Sequence, residues 1–160
     1  MKQDTSQKSY TVHEATLKLM QYCAYRDRSQ KEVEEKLKEM RMIPAACEQI
    51  IIKLMQENFL NEERFARSFV RGKFRIKNWG RIKIKQELKF KEISAPIIKI
   101  ALTEIDEQEY SRTLYELAEK KINLIKESDP FKKRKKLSAY LLQKGFESHL
   151  VYQVSEEITN

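Results

Sequence analysis

Residues 84–101, IKQELKFKEISAPIIKIA, hold the pattern that decides the fold. Counted from Leu88, apolar residues stand at positions −4, +5, +10 and +13, which are Ile84, Ile93, Ile98 and Ala101. A step of three or four residues returns to the same face of a helix, and the stretch between Leu88 and position +10 contains a break. The pattern therefore predicts a helix, a short turn and a second helix.

The same pattern occurs twice more in the chain. It is found in residues 33–50, VEEKLKEMRMIPAACEQI, around Leu37, and in residues 137–154, LSAYLLQKGFESHLVYQV, around Leu141. A further amphipathic stretch precedes each copy, so each repeat contains three helices. We predict an all-α protein of three tandem three-helix repeats with these boundaries: a flexible polar arm at 1–10, repeat 1 at 11–60, a basic repeat 2 at 61–106 and repeat 3 at 107–160.

Residues with capping chemistry support this division. Side chains that commonly cap helix N-termini stand where the predicted helices begin: Thr11, Ser29, Asn61, Asp106 and Asp129. Gly145 suits a left-handed stop after the middle helix of repeat 3. Arg41 and Glu92 hold the equivalent positions of the other two repeats.

One segment favours a different structure when it is considered alone. Residues 73–85, KFRIKNWGRIKIK, alternate basic and apolar side chains around Asn78-Trp79-Gly80, as a β-hairpin does. A lone hairpin is only marginally stable, and the repeat places Ile84 and Leu88 on a helix. We keep the helices and treat the hairpin as the alternative.

The composition excludes several classes of protein. The 160 residues are 41% hydrophobic and 35% charged, which is enough apolar material for packed cores. Cys23 and Cys47 are too few for a disulfide scaffold, and they occupy predicted core positions, so we expect buried structural thiols. His13 and His149 do not complete a zinc site with them and are expected at the surface. Since no apolar run is long enough to span a membrane, we expect a cytoplasmic protein.

No pattern of catalytic residues is visible. The chain has no glycine-rich phosphate loop, no recognisable pairing of a nucleophile with a histidine, and no metal-ligand spacing. We therefore predict that the protein is not an enzyme and takes neither a cofactor nor a metal.

Positive charge is concentrated in the middle of the chain. The whole chain has 32 Lys and Arg against 24 Asp and Glu, for a net charge of +8. Residues 71–91 alone hold nine basic residues and one acidic residue, which is also +8. Clustered basic side chains favour a nucleic-acid or acidic-protein partner, and the alternative is a solubilising face.

The basic side chains fall on two helical ridges of repeat 2 and at the start of the middle helix of repeat 3. The residues predicted to form the binding face are Arg64, Arg67, Arg71, Lys73, Arg75, Lys77, Arg81, Lys85, Lys89, Lys132, Lys133, Arg134 and Lys136. Like charges one helical turn apart repel, so removal of Arg71, Arg75, Arg81 and Lys85 is not expected to cost stability. Trp79 lies between the ridges, where it either plugs two helices, our preferred interpretation, or stacks on a base.

Four motifs, taken in order, carry a resemblance to a known family. They are Arg26-Asp27-Arg28-Ser29 followed by Glu32-Val33 and Lys36-Leu37; Phe59-Leu60-Asn61-Glu62-Glu63-Arg64-Phe65-Ala66; Trp79-Gly80-Arg81-Ile82 leading to Glu87-Leu88; and Leu141-Leu142-Gln143-Lys144-Gly145-Phe146. Together they resemble the RecX family of regulatory proteins, which act on the RecA recombinase. The resemblance runs from about residue 12 to residue 158, with Arg41 and Glu92 where the family usually has glycine.

The resemblance implies a crescent of three-helix repeats that binds RecA–DNA filaments along their groove. It implies restraint of ATP hydrolysis, strand exchange and coprotease activity, and so a modulator of DNA repair, recombination and the SOS response. The charge pattern adds weak binding of single- and double-stranded DNA without sequence preference, and we expect a monomer without membrane contacts. The alternatives are a stand-alone helical DNA-binding protein of helix-turn-helix type and a cryptic enzyme that acts on nucleic acid.

Overall fold

The computed structural model describes residues 9–160 and shows nine α-helices and no strand in that range. The helices are α1 (Val12–Tyr25), α2 (Gln30–Glu39), α3 (Pro44–Gln56), α4 (Glu62–Arg75), α5 (Arg81–Phe90), α6 (Ala95–Leu102), α7 (Glu107–Ile122), α8 (Pro130–Gln143) and α9 (Ser148–Thr159). This confirms the predicted all-α fold. The hairpin alternative for residues 73–85 is wrong, because α4 extends to Arg75 and α5 begins at Arg81.

The chain divides into two compact units, and the division falls within α4. The first unit ends at Phe65, and α1, α2 and α3 pack on one another in it. Its core includes Leu19, Leu37 and Leu54, which are completely buried. Tyr10 packs against this core, whereas residues 1–8 of the predicted polar arm lie outside the described residues.

The second unit, Ala66–Asn160, is organised around a row of three aromatic rings. The ring of Tyr110 lies 5.8 Å from that of Phe74 and 5.1 Å from that of Phe146, centroid to centroid. These rings come from α7, α4 and the turn between α8 and α9, so they join elements that are distant in the chain. Such pairs add about 0.5–1.5 kcal/mol each beyond the burial of their apolar surface.

Side-chain caps begin the helices where the sequence predicts them. At Ser29 a full capping box forms, since its hydroxyl accepts from the N–H of Glu32 and its own N–H donates to the Glu32 carboxylate, both at 3.2 Å. The side chains of Thr11, Asn61 and Asp106 each accept from the N–H three residues later. A lost cap costs a helix about 1 kcal/mol, so these residues fix the starts of the helices.

The middle helix of each predicted repeat ends in the same left-handed turn. The φ angle is 59° at Arg41, 63° at Glu92 and 98° at Gly145. In every case the N–H of the next residue donates to the carbonyl of the leucine five residues before it, at 3.1, 3.1 and 3.3 Å. This is the Schellman arrangement that glycine normally completes, so two residues with side chains adopt a conformation that suits glycine.

The two thiols and two imidazoles lie in ordinary structural positions. Cys23 is buried, and burial raises the pKa of its thiol, whereas Cys47 is only half-buried. His13 and His149 are exposed, as predicted. Across residues 9–160, no His, Cys, Asp and Glu side chains group as metal ligands do. None of the helices in that range combines the length and the hydropathy that crossing a membrane requires.

Candidate nucleic-acid interface

The first arginine of the predicted ridge is held within the first unit. Arg64 Nε lies 2.6 Å from Asp27 Oδ1, and Arg64 Nη2 donates to the carbonyl oxygens of Asn58 and Phe59 at 3.2 Å. Asp27 and Arg64 belong to two of the motifs that carry the family resemblance. The contact therefore assigns them a structural role that links the end of α1 to the start of α4.

The next three arginines of α4 face carboxylates in the second unit. Arg67 and Arg71 contact the same Glu104 oxygen at 2.9 and 3.1 Å, and Arg75 lies 4.0 Å from Glu109. The hydrogen bond from Arg67, with the bond and charge of Arg71, holds the pKa of Glu104 below its ordinary value. The ridge that looks unpaired in the sequence is therefore largely neutralised within the chain.

Arg81 is the centre of a network that joins α5 to α7 and to Glu147, the N-cap residue of α9. Its guanidinium lies 3.1 Å from Glu147, 2.7 Å from Glu107 and 3.9 Å from the centre of the Tyr110 ring. The Arg81 N–H donates to the Tyr110 hydroxyl at 3.1 Å, and that hydroxyl donates to Glu147. Burial and the bond to Glu147 raise the pKa of Tyr110. The expectation that Arg81 can be removed without loss of stability does not fit these contacts.

Two glycines allow the turn before α5 to contact the turn after α8. Gly80 N–H donates to the carbonyl of Lys144 at 2.8 Å, and Ile82 N–H donates to that of Gly145 at 2.9 Å. A Cβ atom on Gly80 would lie 2.3 Å from the Gly145 carbonyl, and one on Gly145 would lie 2.2 Å from Lys83 Cβ. Neither position has room for a side chain, so the close approach depends on both glycines.

This approach brings together lysines from three elements. Lys77 follows α4, Lys83 lies in the first turn of α5, and Lys144 is the C-cap of α8. Lys144 Nζ donates to the carbonyl oxygen of Lys77 at 2.8 Å. Burial lowers the pKa of Lys144, and the charges of Lys83 and Lys77 lower it further. Among the described residues, no carboxylate is recorded within ion-pair distance of these three ammonium groups.

Aromatic rings lie beside the lysines of this region. The centre of the Trp79 ring lies 4.8 Å from Lys73 Nζ and 4.5 Å from Lys83 Nζ. The Phe69 ring has Lys73 at 5.4 Å and Lys91 at 5.8 Å. Trp79 therefore contacts one lysine of α4 and one of α5, and its role as a plug between two helices stays a prediction. We call the following set the lysine–aromatic cluster: Phe69, Lys73, Lys77, Trp79, Lys83, Lys91 and Lys144.

The other two predicted lysines of α5, Lys85 and Lys89, lie on a different side of that helix from Lys83. Lys85 and Lys89 are exposed, and the described part of the chain provides no recorded ion-pair partner for either. Like the lysines of the lysine–aromatic cluster, they have no recorded carboxylate partner, and we call the two groups together the basic surface of the second unit, in which Lys83 and Lys85 face different sides of α5. Of the predicted binding residues, Lys73, Lys77, Lys85 and Lys89 lie on it.

The basic run at the start of α8 is divided between two roles. Arg134 donates to the side chains of Thr159 and Asn160 at 2.8 and 2.9 Å, and Lys136 lies 3.2 Å from Glu127. Lys132 is exposed and Lys133 is half-buried. Arg134 and Lys136 therefore help to hold the end of the chain and the loop before α8, respectively.

Sequence reasoning missed three lysines and one ring of the cluster: Lys83, Lys91, Lys144 and Phe69. Lys83 and Lys91 lie within the basic stretch 71–91. A count of charges includes them there but does not distinguish them from basic residues that form ion pairs, such as Arg81. Lys144 joins the site only through the contact between two turns that are far apart in the sequence. The signal that could have found it is the pair of glycines, Gly80 and Gly145, each beside a basic residue.

Comparisons of the sequence agree on one family. Residues 61–102 match the profile described as RecX, second three-helix domain, and residues 107–154 match RecX, third three-helix domain. The regulatory protein RecX of Clostridium perfringens (strain 13 / Type A) is 34% identical over 135 residues, 83% of this chain and 63% of that protein. The regulatory protein RecX of Chlorobium phaeobacteroides (strain BS1) is 34% identical over 133 residues, 83% of this chain and 85% of that protein.

Solved structures give the same result for the fold. The crystal structure of RecX from Lactobacillus salivarius has a TM-score of 0.83 and 27% identity, over 92% of this chain and 96% of that one. A second crystal structure of a regulatory protein RecX also has a TM-score of 0.83, over 91% of this chain and 73% of that one. Because its identity is 24%, this match supports the fold alone. The relatives are named as regulatory proteins and not as enzymes.

Proposed function

The chain belongs to the RecX family of regulatory proteins, and from this premise we propose that it binds RecA filaments on DNA and restrains their activities. The activities restrained are ATP hydrolysis, strand exchange and the coprotease function, so the protein modulates DNA repair and recombination. It acts as a cytoplasmic monomer and contributes no catalytic residue of its own.

Besides membership of the family, one structural observation supports this proposal: the basic surface of the second unit. The arginines of α4 are neutralised by carboxylates such as Glu104, whereas the lysines around Trp79 and along α5 are not. An uncompensated basic surface raises the local concentration of a polyanion and speeds its association. A filament that contains DNA is such a polyanion, so this surface is where we place the contact.

The same surface supports weak binding of naked DNA. Lysine is a point charge that contacts phosphates from many directions, and it lacks the planar fork with which arginine contacts guanine. We therefore expect little sequence preference. Each phosphate contact to a single strand contributes about −0.7 to the log–log dependence of affinity on salt, so several contacts make binding strongly salt-dependent.

A competition pull-down tests this function. The immobilised protein is offered RecA filaments, naked single-stranded DNA and duplex DNA together, and the filament should be retained in preference to the other two. Retention of one duplex sequence in preference to the filament would favour a stand-alone helix-turn-helix protein instead. ATP hydrolysis or DNA cleavage by the protein alone, abolished by a point mutation, would favour an enzyme.

A pair of matched variants locates the contact. Lys85→Gln with Lys89→Gln removes two exposed lysines of α5, and Lys38→Gln with Lys53→Gln removes two exposed lysines of the first unit. Both double variants lose two positive charges from exposed helix positions. We expect the α5 variant to lose most of its filament binding and the first-unit variant to keep it. Equal loss in both would mean that only net charge matters.

A further inference from the structure

We propose that Lys77, Lys83 and Lys144 form a subsite for one phosphodiester group of a nucleic acid, beside a Trp79 ring that supports the lysines and does not stack on a base. The inference rests on the proposed function, since it names the chemical group that this part of the surface binds. It goes further by assigning the group to three lysines from three elements.

Two hydrogen bonds fix Lys144 relative to the backbone of Gly80 and Lys77. Gly80 N–H bonds the carbonyl of Lys144, and Lys144 Nζ returns to the carbonyl of Lys77 at 2.8 Å. An ammonium group has three N–H donors, so Lys144 keeps two for a ligand. The site is therefore partly ordered before a ligand binds, which lowers the entropy cost of binding.

The charge of the site is unbalanced in the absence of a ligand. Burial and the nearby Lys83 and Lys77 lower the pKa of Lys144, which means that its protonated form is disfavoured there. An anion between the ammonium groups would replace repulsion with attraction. Among the described residues, no recorded ion pair places a carboxylate on these three ammonium groups, and Glu107 and Glu147 are engaged by Arg81.

The type of side chain favours a phosphodiester over a carboxylate of a protein partner. Most ion pairs recorded in this unit join a carboxylate to a guanidinium group, as for Glu147 with Arg81 and Glu104 with Arg67, and one joins Glu127 to Lys136. Guanidinium has the planar geometry that suits a carboxylate, whereas ammonium groups contact phosphate oxygens without a fixed plane. Lys73 lies against the same Trp79 ring as Lys83, so further positive charge adjoins the subsite, which suits a polymer with many charges.

The ring of Trp79 already contacts two lysine ammonium groups. Lys73 and Lys83 lie 4.8 and 4.5 Å from its ring centre, within the range of a cation–π contact. A base that stacked where Lys83 lies against this ring would have to displace that lysine, which the subsite requires. The subsite should therefore bind the sugar–phosphate backbone whether or not bases are present.

The experiment uses Trp79 as its reporter, because it is the only tryptophan in the chain. The intact protein is titrated with an oligo(dT) and with an abasic deoxyribose-phosphate oligomer of the same length, and Trp79 emission is followed. We expect both to change the emission, with dissociation constants within about threefold of each other. Much weaker binding of the abasic oligomer would overturn the proposal, since it would show that a base is required.

Variants test the assigned lysines. Lys83→Gln with Lys144→Gln should weaken binding of both oligomers by about tenfold or more, as expected when charged hydrogen bonds are lost. The matched control is Lys99→Gln with Lys120→Gln, two exposed lysines of the same unit, which should change it by less than about threefold. Lys144→Gln also removes the hydrogen bond from Lys144 Nζ to the carbonyl oxygen of Lys77, so a loss of binding could reflect a structural change. Lys77→Gln is therefore a second test, because it changes an exposed side chain and leaves that hydrogen bond in place. Unchanged affinity in a folded Lys77→Gln variant would overturn the assignment.

Competitors identify the source of the anion. Poly-glutamate of equal charge, or inorganic phosphate, should displace the abasic oligomer poorly. Displacement by poly-glutamate at equal strength would assign the surface to an acidic protein segment, and tight binding of inorganic phosphate would assign it to a small anion; either result overturns the proposal. Failure of the proposed function would give a different result. The protein would then still bind the abasic oligomer through these lysines, but it would not bind RecA filaments.

Discussion

Gly80 lies so close to Gly145 that a Cβ atom added to it would stand 2.3 Å from both the carbonyl carbon and the carbonyl oxygen of Gly145. The two residues belong to the turn before α5 and the turn after α8. Their contact holds Arg81 near Tyr110 and Lys83 near Lys144. A packing constraint between two turns therefore positions both the structural network and the proposed binding surface.

The first prediction concerns this contact. Gly80→Ala should destabilise the protein by about 1–3 kcal/mol because backbone must move to admit the methyl group. Gly145→Ala should also destabilise it, since the φ angle is 98° and the new Cβ would collide with Lys83. Gly72→Ala is the matched control: nothing lies within 4 Å of the added Cβ, and alanine in a helix gains about 0.5–1 kcal/mol over glycine. Urea unfolding measures all three, and equal stability of the Gly80 and Gly72 variants would contradict the account.

The second prediction concerns Arg41 and Glu92, which adopt a left-handed conformation at the ends of α2 and α5. Arg41→Gly and Glu92→Gly should each raise the free energy of unfolding by up to about 1 kcal/mol, because a side chain in the left-handed region is strained. Thermal unfolding of each variant checks this. Lys38→Gly, within α2, is the control and should lower stability by about 1 kcal/mol. A loss of stability at position 41 or 92 would mean that its side chain contributes more than the strain costs.

The third prediction concerns the buried tyrosine. Tyr110→Phe removes the hydroxyl that accepts from Arg81 N–H and donates to Glu147, so it should cost about 1–3 kcal/mol. Tyr152→Phe, at a tyrosine that is 57% exposed, should change stability by less than about 0.5 kcal/mol. Denaturant titrations of both variants provide the comparison. A neutral effect at Tyr110 would show that the network around Arg81 is not needed for the fold.

The fourth prediction concerns acid stability. Because Arg67 and Arg71 lower the pKa of Glu104, the unfolded chain binds a proton at this carboxyl more readily than the folded chain does. The stability from Glu104 is present above its ordinary value of 4.5 and is lost as pH falls through the lower folded value. Glu104→Gln should be less stable than the parent at neutral pH, and its urea midpoint should fall less on acidification. Parallel pH profiles would contradict the role of this carboxylate.

Local patterns were sufficient for the helices of this protein. The spacing around Leu37, Leu88 and Leu141 places the core residues, because burial of one helix face repeats every three or four positions. The caps at Ser29 and Asp106 were also readable, since the side chain and the N–H that it accepts from are three residues apart. Helix faces and caps depend on residues that are close in the sequence, so the sequence is sufficient to predict them.

The pairing of charged side chains could not be predicted from such local patterns. Arg67 meets Glu104 across 37 residues and Arg81 meets Glu147 across 66, so the net charge of a window does not show which cations are neutralised. The prediction of a basic face gave Arg67 and Lys85 equal weight, although only the first has a recorded carboxylate partner in the described chain. Whether these residues bind a filament stays a prediction.

The central claim is that the lysines of the second unit restrain RecA. Its most direct test is the rate of RecA-dependent ATP hydrolysis on single-stranded DNA with the parent protein, with Lys77→Glu, Lys85→Glu and Lys89→Glu combined, and with a control of Lys18→Glu, Lys38→Glu and Lys53→Glu combined. All six side chains are exposed, and circular dichroism checks that both variants stay folded. We expect the parent and the control to slow hydrolysis alike and the second-unit variant to lose most of this effect. If the folded second-unit variant slows hydrolysis as strongly as the parent, the basic surface is a solubilising face and the claim is wrong.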